Sequence, residues 1–338
     1  MKKAYPIILR YVILFGVIAF LIWLSFHGIS AENKHNMREA FRHARYILLL
    51  PVFLLLLLSH CFRSLRWKQL IEPMGYKPPV FDLFCGLLVG YLTNQFIPRG
   101  GEVVRCTFVA RQHKIPLEKL IGTIITERAV DVLCLGLLGV SVFFFQYAFL
   151  SSHVKSAYLT FLASFKTGQH LYHWLIVLAI LVAIIIIVYI IKRVNRKFST
   201  FFIKIFKGFK EGFLSIQKVR RKWLFILYTI LMWVCYIFST WIGCFAMQET
   251  THLRLESGII LLFAGTLGII LTPGGVVAYP YAIQKTLLLY GINEAVGKAF
   301  GWLLWGAQFV FTIVFGTLAY IALNLRKRHH EKHSVRAT

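Results

Sequence analysis

NQFIPRGGEVVRCTFVARQHKIPLEKLIGTIITERAVD, residues 94–131, decides how the rest of the chain is read. It lies between two apolar runs, yet it holds Arg99, Glu102, Arg105, Glu127, Arg128 and Asp131. Ionisable groups beside or within hydrocarbon cost roughly 2.5–3.5 kcal/mol each on insertion scales, so they are usually paired and often functional. On a helix Glu127 and Asp131 are four apart and share a face, and Arg128 is three from Asp131. Glu102 and Arg105 are also three apart, directly after the Gly100–Gly101 break.

The surroundings decide which solvent these charges meet. The chain has 338 residues, 58% of them hydrophobic and only 15% charged, too little polar surface for a water-soluble protein of this length. Several runs exceed the 18 apolar residues that mark a membrane-crossing helix. Strands are excluded as the alternative, because an open sheet edge cannot be satisfied in lipid. The fold class expected is an all-α polytopic membrane protein.

The net charge of +25 would suggest nucleic acid in a soluble protein. Here Lys and Arg sit mainly in loops and at the C-terminus, as in cytoplasmic loops that lie on anionic headgroups, so no nucleic-acid partner is expected. The six cysteines lie in or beside apolar stretches without metal-ligand spacing and read as small core residues, with no cofactor or metal implied. The N-terminal apolar run is too long for a cleaved signal and reads as a retained first helix.

Full spans are predicted over 7–26, 46–62, 119–147, 171–191, 223–247 and 300–323. Two further segments, 81–97 and 258–271, are short, contain glycine and end at Pro98 and Pro273. The polar stretch 28–45 reads as a loop, and 63–77 as a basic segment at the cytoplasmic surface. Segment 192–222 holds eleven Lys and Arg against one acid and should also face the cytoplasm. Every basic segment falls inside only if 81–97 enters and returns on the cytoplasmic side and 258–271 re-enters from outside. The expectation is six full crossings plus two re-entrant hairpins, eight hydrophobic segments in all, with both termini cytoplasmic in a bacterial inner membrane. One integral domain then covers 1–325. Residues 192–222 form a basic amphipathic linker, with Phe198, Phe202, Ile205, Phe209 and Phe213 on one helical face. Residues 326–338 form a basic tail.

The short segments echo each other. LLVGYLTNQFIPRGGEVV (87–104) and LFAGTLGIILTPGGVVAY (262–279) each place a glycine eight residues before a proline, then Gly–Gly and Val–Val. Their expected breaks are Asn94, Pro98, Gly100 and Gly101 in the first and Pro273, Gly274 and Gly275 in the second. Opposed entry makes them halves of an inverted repeat, centred near 81–147 and 258–324, and interrupted segments in corresponding halves point to a transport site.

For the charged residues two readings stand side by side. One is an ion-pair cluster pinning the hairpin to the long helix. The other is a headgroup pocket in which Arg99, Arg105 and Arg128 hold phosphate, since the planar guanidinium binds two oxygens at once. A helix start after Gly–Gly adds free N–H groups for an anion. Glu102, Glu127 and Asp131 would then support the arginines or carry protons. The sequence holds no HExxH, GxSxG or P-loop, so no enzyme activity is expected.

At these residues the chain resembles the lysylphosphatidylglycerol synthase transmembrane-region family of flippase-like membrane proteins. The matching pattern is Asn94, Phe96, Pro98, Gly101, Glu102 and Arg105, then Glu127, Arg128 and Asp131, then Pro273, Gly274 and Gly275. Many members carry a glutamate soon after the late Pro-Gly-Gly; here Tyr279 and Pro280 stand there. The chain ends thirteen residues after Leu325, so the resemblance implies the lipid-translocating portion without the soluble aminoacyltransferase. The function implied is binding and translocation of an anionic phospholipid or a polyprenyl-phosphate-linked lipid, with membrane lipids as partners. The alternatives are an accessory subunit for a glycosyltransferase or lipid-modifying enzyme, docked through 192–222, and an intramembrane lipid-transfer enzyme using Glu127 or Asp131.

Overall fold

The computed structural model describes residues 16, 19–23, 25–27, 29–97, 100–145, 219 and 221–336. The span expected over 171–191, nearly all of the 192–222 linker and most of 7–26 lie outside the described residues. Every regular element among the described residues is helical. The chain divides into two compact units, Met1–Ile124 with Val219–Thr338, and Ile125–Lys218.

The stretch expected as a polar loop is instead helix α1 (Ala31–Arg42). Ser30 caps it by accepting the Asn33 N–H at 3.2 Å, and Glu32 complements the positive end of the helix dipole. A short 3₁₀ turn then leads into α2 (Leu49–Ile71), which continues nine residues beyond the span expected to end at Phe62. No proline or glycine interrupts the chain between Phe62 and Pro73, so nothing stops the hydrogen-bond ladder there.

The faces of α2 show which solvent the helix is built for. Leu50 and Leu54 are 60% and 66% exposed, while Ser59 and Arg66 are fully buried. Leucines outward and polar groups inward is the pattern of a helix in lipid. Among the described residues three helical stretches are long and apolar enough to cross a bilayer: Tyr46–Met74, Lys222–Cys244 (α6) and Glu294–Arg326, the greater part of α9 (Glu294–Arg336). The protein is a multi-pass membrane protein.

Between these lie two helical hairpins. The first joins α3 (Val80–Phe96) to α4 (Gly101–His113), and the second joins α7 (Leu255–Leu271) to α8 (Ala278–Leu288). Both first arms have 17 residues, about 25 Å, short of the roughly 30 Å hydrocarbon core. Helix α5 (Leu117–Phe145) follows the first hairpin and carries the chain from the first unit into the second.

Within the first unit α9 is the rail on which both hairpins sit. Gly316 faces Leu88 and Leu92 of α3, and Arg326 reaches Asp82 at the start of α3. Gly301 faces Pro280 of α8, and Gly297 faces Gln284. The base of the first hairpin therefore lies at the late end of α9, and the base of the second at its early end. The tips meet between them. A Cβ on Gly274 would stand 3.4 Å from Gln95 Oε1, and Trp305 Nε1 donates to the Gly274 carbonyl at 2.9 Å.

Candidate functional site

The first hairpin closes on glycine and asparagine. Asn94 Oδ1 accepts the Gly101 N–H at 2.8 Å, satisfying a first-turn amide of α4 that has no partner within its own helix. Gly90 and Gly101 press backbone to backbone, so that a Cβ on Gly101 would lie 1.9 Å from the Gly90 carbonyl oxygen. Gly100 itself has ordinary right-handed dihedrals. The second hairpin uses its glycines differently. Gly274 and Gly275 take φ of 65° and 70°, left-handed backbone that residues with a Cβ disfavour. The two Gly–Gly pairs thus serve close approach in one hairpin and chain reversal in the other.

After the second break Val277 adopts φ 65° and ψ −46°, while Val276 accepts the Ala278 N–H at 2.8 Å across it. The Thr272 hydroxyl donates to the same Val276 oxygen at 3.0 Å. Tyr279 is buried, with its ring against Gly265 and its hydroxyl accepting from Gln308 at 3.4 Å.

A basic wall lines the middle of the first unit. Arg105 is 2% exposed and stacks over Trp67 with its guanidinium carbon 4.5 Å from the ring centre, an attraction of up to about 2 kcal/mol when desolvated. Trp67 donates to Thr123 at 2.8 Å, which fixes the ring beneath Arg105. One turn earlier on α2, Arg63 donates to the Tyr91 hydroxyl at 2.7 Å and to the Met232 thioether at 3.4 Å. Arg66 is buried with its guanidinium 5.9 Å from the Phe225 ring, and His60 lies 4.8 Å from the Tyr91 ring.

Arg63, Arg66, Trp67 and His60 were not among the expected site residues. Charge made 63–77 look like a solvated segment, but Ser59, Arg63, Trp67 and Leu70 keep helical spacing and share a buried face. That periodicity was the signal that could have found them.

At the base of the first hairpin Asp82 is 1% exposed and gathers three donors from two other elements. Arg326 of α9 reaches it at 2.6 Å, and His113 and Gln112 of α4 at 3.0 and 3.1 Å.

Of the remaining expected residues, Glu102 sits half-buried in the first turn of α4. In the second unit α5 buries Glu127 and places Arg128 3.6 Å from Asp131, one turn on. Pro98 and Arg99 lie outside the described residues. The structure places Asn94, Gly101 and Arg105 together in one hairpin.

Residues 7–316 match the family model described as the lysylphosphatidylglycerol synthase transmembrane region. The chain belongs to that family. It is also similar to a membrane protein of Methanocaldococcus jannaschii described as a UPF0104 membrane protein, at 25% identity across 94% of this chain and 95% of the relative. No solved structure matches it. The match spans both hairpins, α2 and the first half of α9, so the elements that build the basic wall fall within the family's region.

Proposed function

We propose that this protein binds an anionic phospholipid or a polyprenyl-phosphate-linked lipid and carries its headgroup across a bacterial inner membrane, with no covalent chemistry on the lipid. The observation that carries this reading is the meeting of two short hairpins, mounted from opposite ends of α9, in the middle of an apolar bundle. In this reading both are re-entrant, six other segments cross fully, and the two termini are cytoplasmic. Irregular backbone at membrane depth is tolerated only where protein buries it or water reaches it. Discontinuous helices in corresponding halves are where transporters place their substrates.

Arg63, Arg66 and Arg105 supply the chemistry for an anionic group. Phe225 and Trp67 lie against the guanidinium faces of Arg66 and Arg105, and guanidinium edges are suited to phosphate oxygens. The test is purified protein in vesicles of phosphatidylcholine and phosphatidylglycerol carrying a trace of fluorescent phosphatidylglycerol, with dithionite quenching of the outer leaflet. Protein-bearing vesicles should lose nearly all fluorescence and protein-free vesicles about half. The Arg105→Ala variant should slow the exchange at least tenfold. Equal traces with and without protein would end this reading.

A further inference from the structure

Both hairpins meet α9 closely at a glycine, Gly301 for the second and Gly316 for the first, but the first adds an ionic fastening at its base. The second is held by close backbone contact: a Cβ on Gly301 would stand 2.6 Å from the Pro280 carbonyl oxygen. Tyr279, Ile283 and Leu287 of α8 belong to a cluster of sixteen buried residues that also takes in Phe300, Leu303 and Leu304 of α9. The Trp305–Gly274 hydrogen bond then ties its tip. Such an arrangement has little freedom to slide, because close-packed interiors resist continuous deformation.

The first hairpin meets α9 at Gly316, where an added Cβ would stand 2.7 Å from Leu92, and through a smaller apolar cluster of five buried residues, Cys85, Leu88, Val89, Ala319 and Leu323. Its base is fastened by the Asp82 carboxylate. Arg326 is about one-third exposed and His113 about one-fifth, so both donors can reach water when they let go. Ionic fastenings of this kind have two discrete arrangements, made and broken, and interfaces that switch are built from them. On its inner side the same hairpin carries Tyr91 and Arg105, which contact Arg63 and Trp67 of α2. Swinging its base away from α9 would part Leu83, Cys106 and Val109 from Trp67 and Ile71 of α2 and uncover the basic wall.

We propose that the α3–α4 hairpin is the moving gate, latched by Asp82 to Arg326 and His113, and that the α7–α8 hairpin is a fixed abutment. This deepens the lipid-translocating reading by naming the side from which an anionic headgroup reaches Arg63, Arg66 and Arg105. The latch can nevertheless be tested without lipid movement, because the protein carries its own reporters. Cys85 lies one turn beyond Asp82 at 3% exposure, and Cys244, fully buried, lies in the cluster that holds the second hairpin.

The experiment is the rate of N-ethylmaleimide modification of each cysteine, read peptide by peptide by mass spectrometry on full-length protein in phosphatidylcholine–phosphatidylglycerol vesicles. Asp82→Asn and Arg326→Gln should speed modification of Cys85 at least tenfold and leave Cys244 unchanged. Arg326→Lys, which keeps the charge, should return Cys85 to within threefold of wild type. An unchanged Cys85 rate in both neutral variants overturns the latch. So does a rise of Cys244 in step with Cys85, which would mean general loosening. Lipid exchange measured on the same vesicles separates the two proposals. A Cys85 shift with no exchange in wild type leaves the gate standing and removes the lipid reading. Exchange with no Cys85 shift does the reverse.

Discussion

Replacing Gly101 by alanine asks whether the first hairpin depends on its backbone contact. The added Cβ would stand 1.9 Å from the Gly90 oxygen and 2.8 Å from Asn94 Cγ. Bringing the first contact to 3.0 Å requires α3 and α4 to part by about 1.1 Å. That movement stretches the 2.8 Å bond from the Gly101 N–H to Asn94 beyond hydrogen-bonding range. Overpacking of this kind costs roughly 1–3 kcal/mol, and a lost buried hydrogen bond roughly 0.5–1.5 kcal/mol. The sum is about 1.5–4.5 kcal/mol, and it falls on the element that positions Arg105. Thermal unfolding followed by tryptophan fluorescence in detergent should show a clearly lowered midpoint, and fluorescent-lipid exchange should fall with it. Gly86, on the same face of α3, is the internal comparison. Its added Cβ would meet Phe108 and Val109 at 3.5 Å, ordinary contact, so Gly86→Ala should fold as wild type. A Gly101→Ala protein with wild-type midpoint and exchange rate would show that α3 and α4 are not packed as described.

The same packing sets three further outcomes. Trp67→Phe removes the donor to Thr123 and narrows the ring under Arg105; it should cost about 1–2 kcal/mol by urea unfolding in mixed micelles. Gly265→Ala places a methyl 2.5 Å from the Tyr279 ring; it should lower the melting midpoint, and the double variant Gly265→Ala with Tyr279→Leu should recover part of the loss. Gly122→Ala and Gly291→Ala should differ in sign although both positions are open. Alanine at helical Gly122 should stabilise by roughly 0.5–1 kcal/mol, whereas Gly291, at φ 75°, should lose about 1 kcal/mol, both read from unfolding midpoints.

What could be read in the sequence was what local chemistry dictates. Pro98 and the glycines mark the end of the short segment, and α3 ends at Phe96, within a residue of the expected boundary. The positive φ at Gly274 and Gly275 follows from residue type, since glycine adopts it without strain. Hidden from reading were features in which charge and burial disagree. Arg63 and Arg66 carry the composition of a solvated loop, and only the unbroken helical period showed that their face turns inward. Asp82 was unreadable for another reason: its partner Arg326 lies 244 positions away, and no spacing rule reaches that far. Arg326 had the look of the first residue of a solvated tail. The fold makes it the last residue of a buried fastening.

The reach of the two hairpins follows from the rail that carries them. Gly297, beside the base of the second hairpin, and Arg326, beside the base of the first, stand 29 residues apart on α9, roughly 44 Å along a straight helix. The 17-residue α3 covers about 25 Å and the 11-residue α8 about 17 Å, so two hairpins starting from opposite ends of the rail reach one another near its middle. Longer arms would collide at Gln95 and Gly274, and shorter ones would leave the tips parted. The contact of Gln95 with Gly274 and the bond from Trp305 are therefore consequences of arm length as much as of side-chain chemistry. This also explains how the echoed segments can differ in every charged position and still match in span. Length is constrained by the shared rail, whereas charge is constrained by what each hairpin faces. The first faces Trp67 and Arg63 and carries Arg105; the second faces the apolar heart of α9 and carries Tyr279.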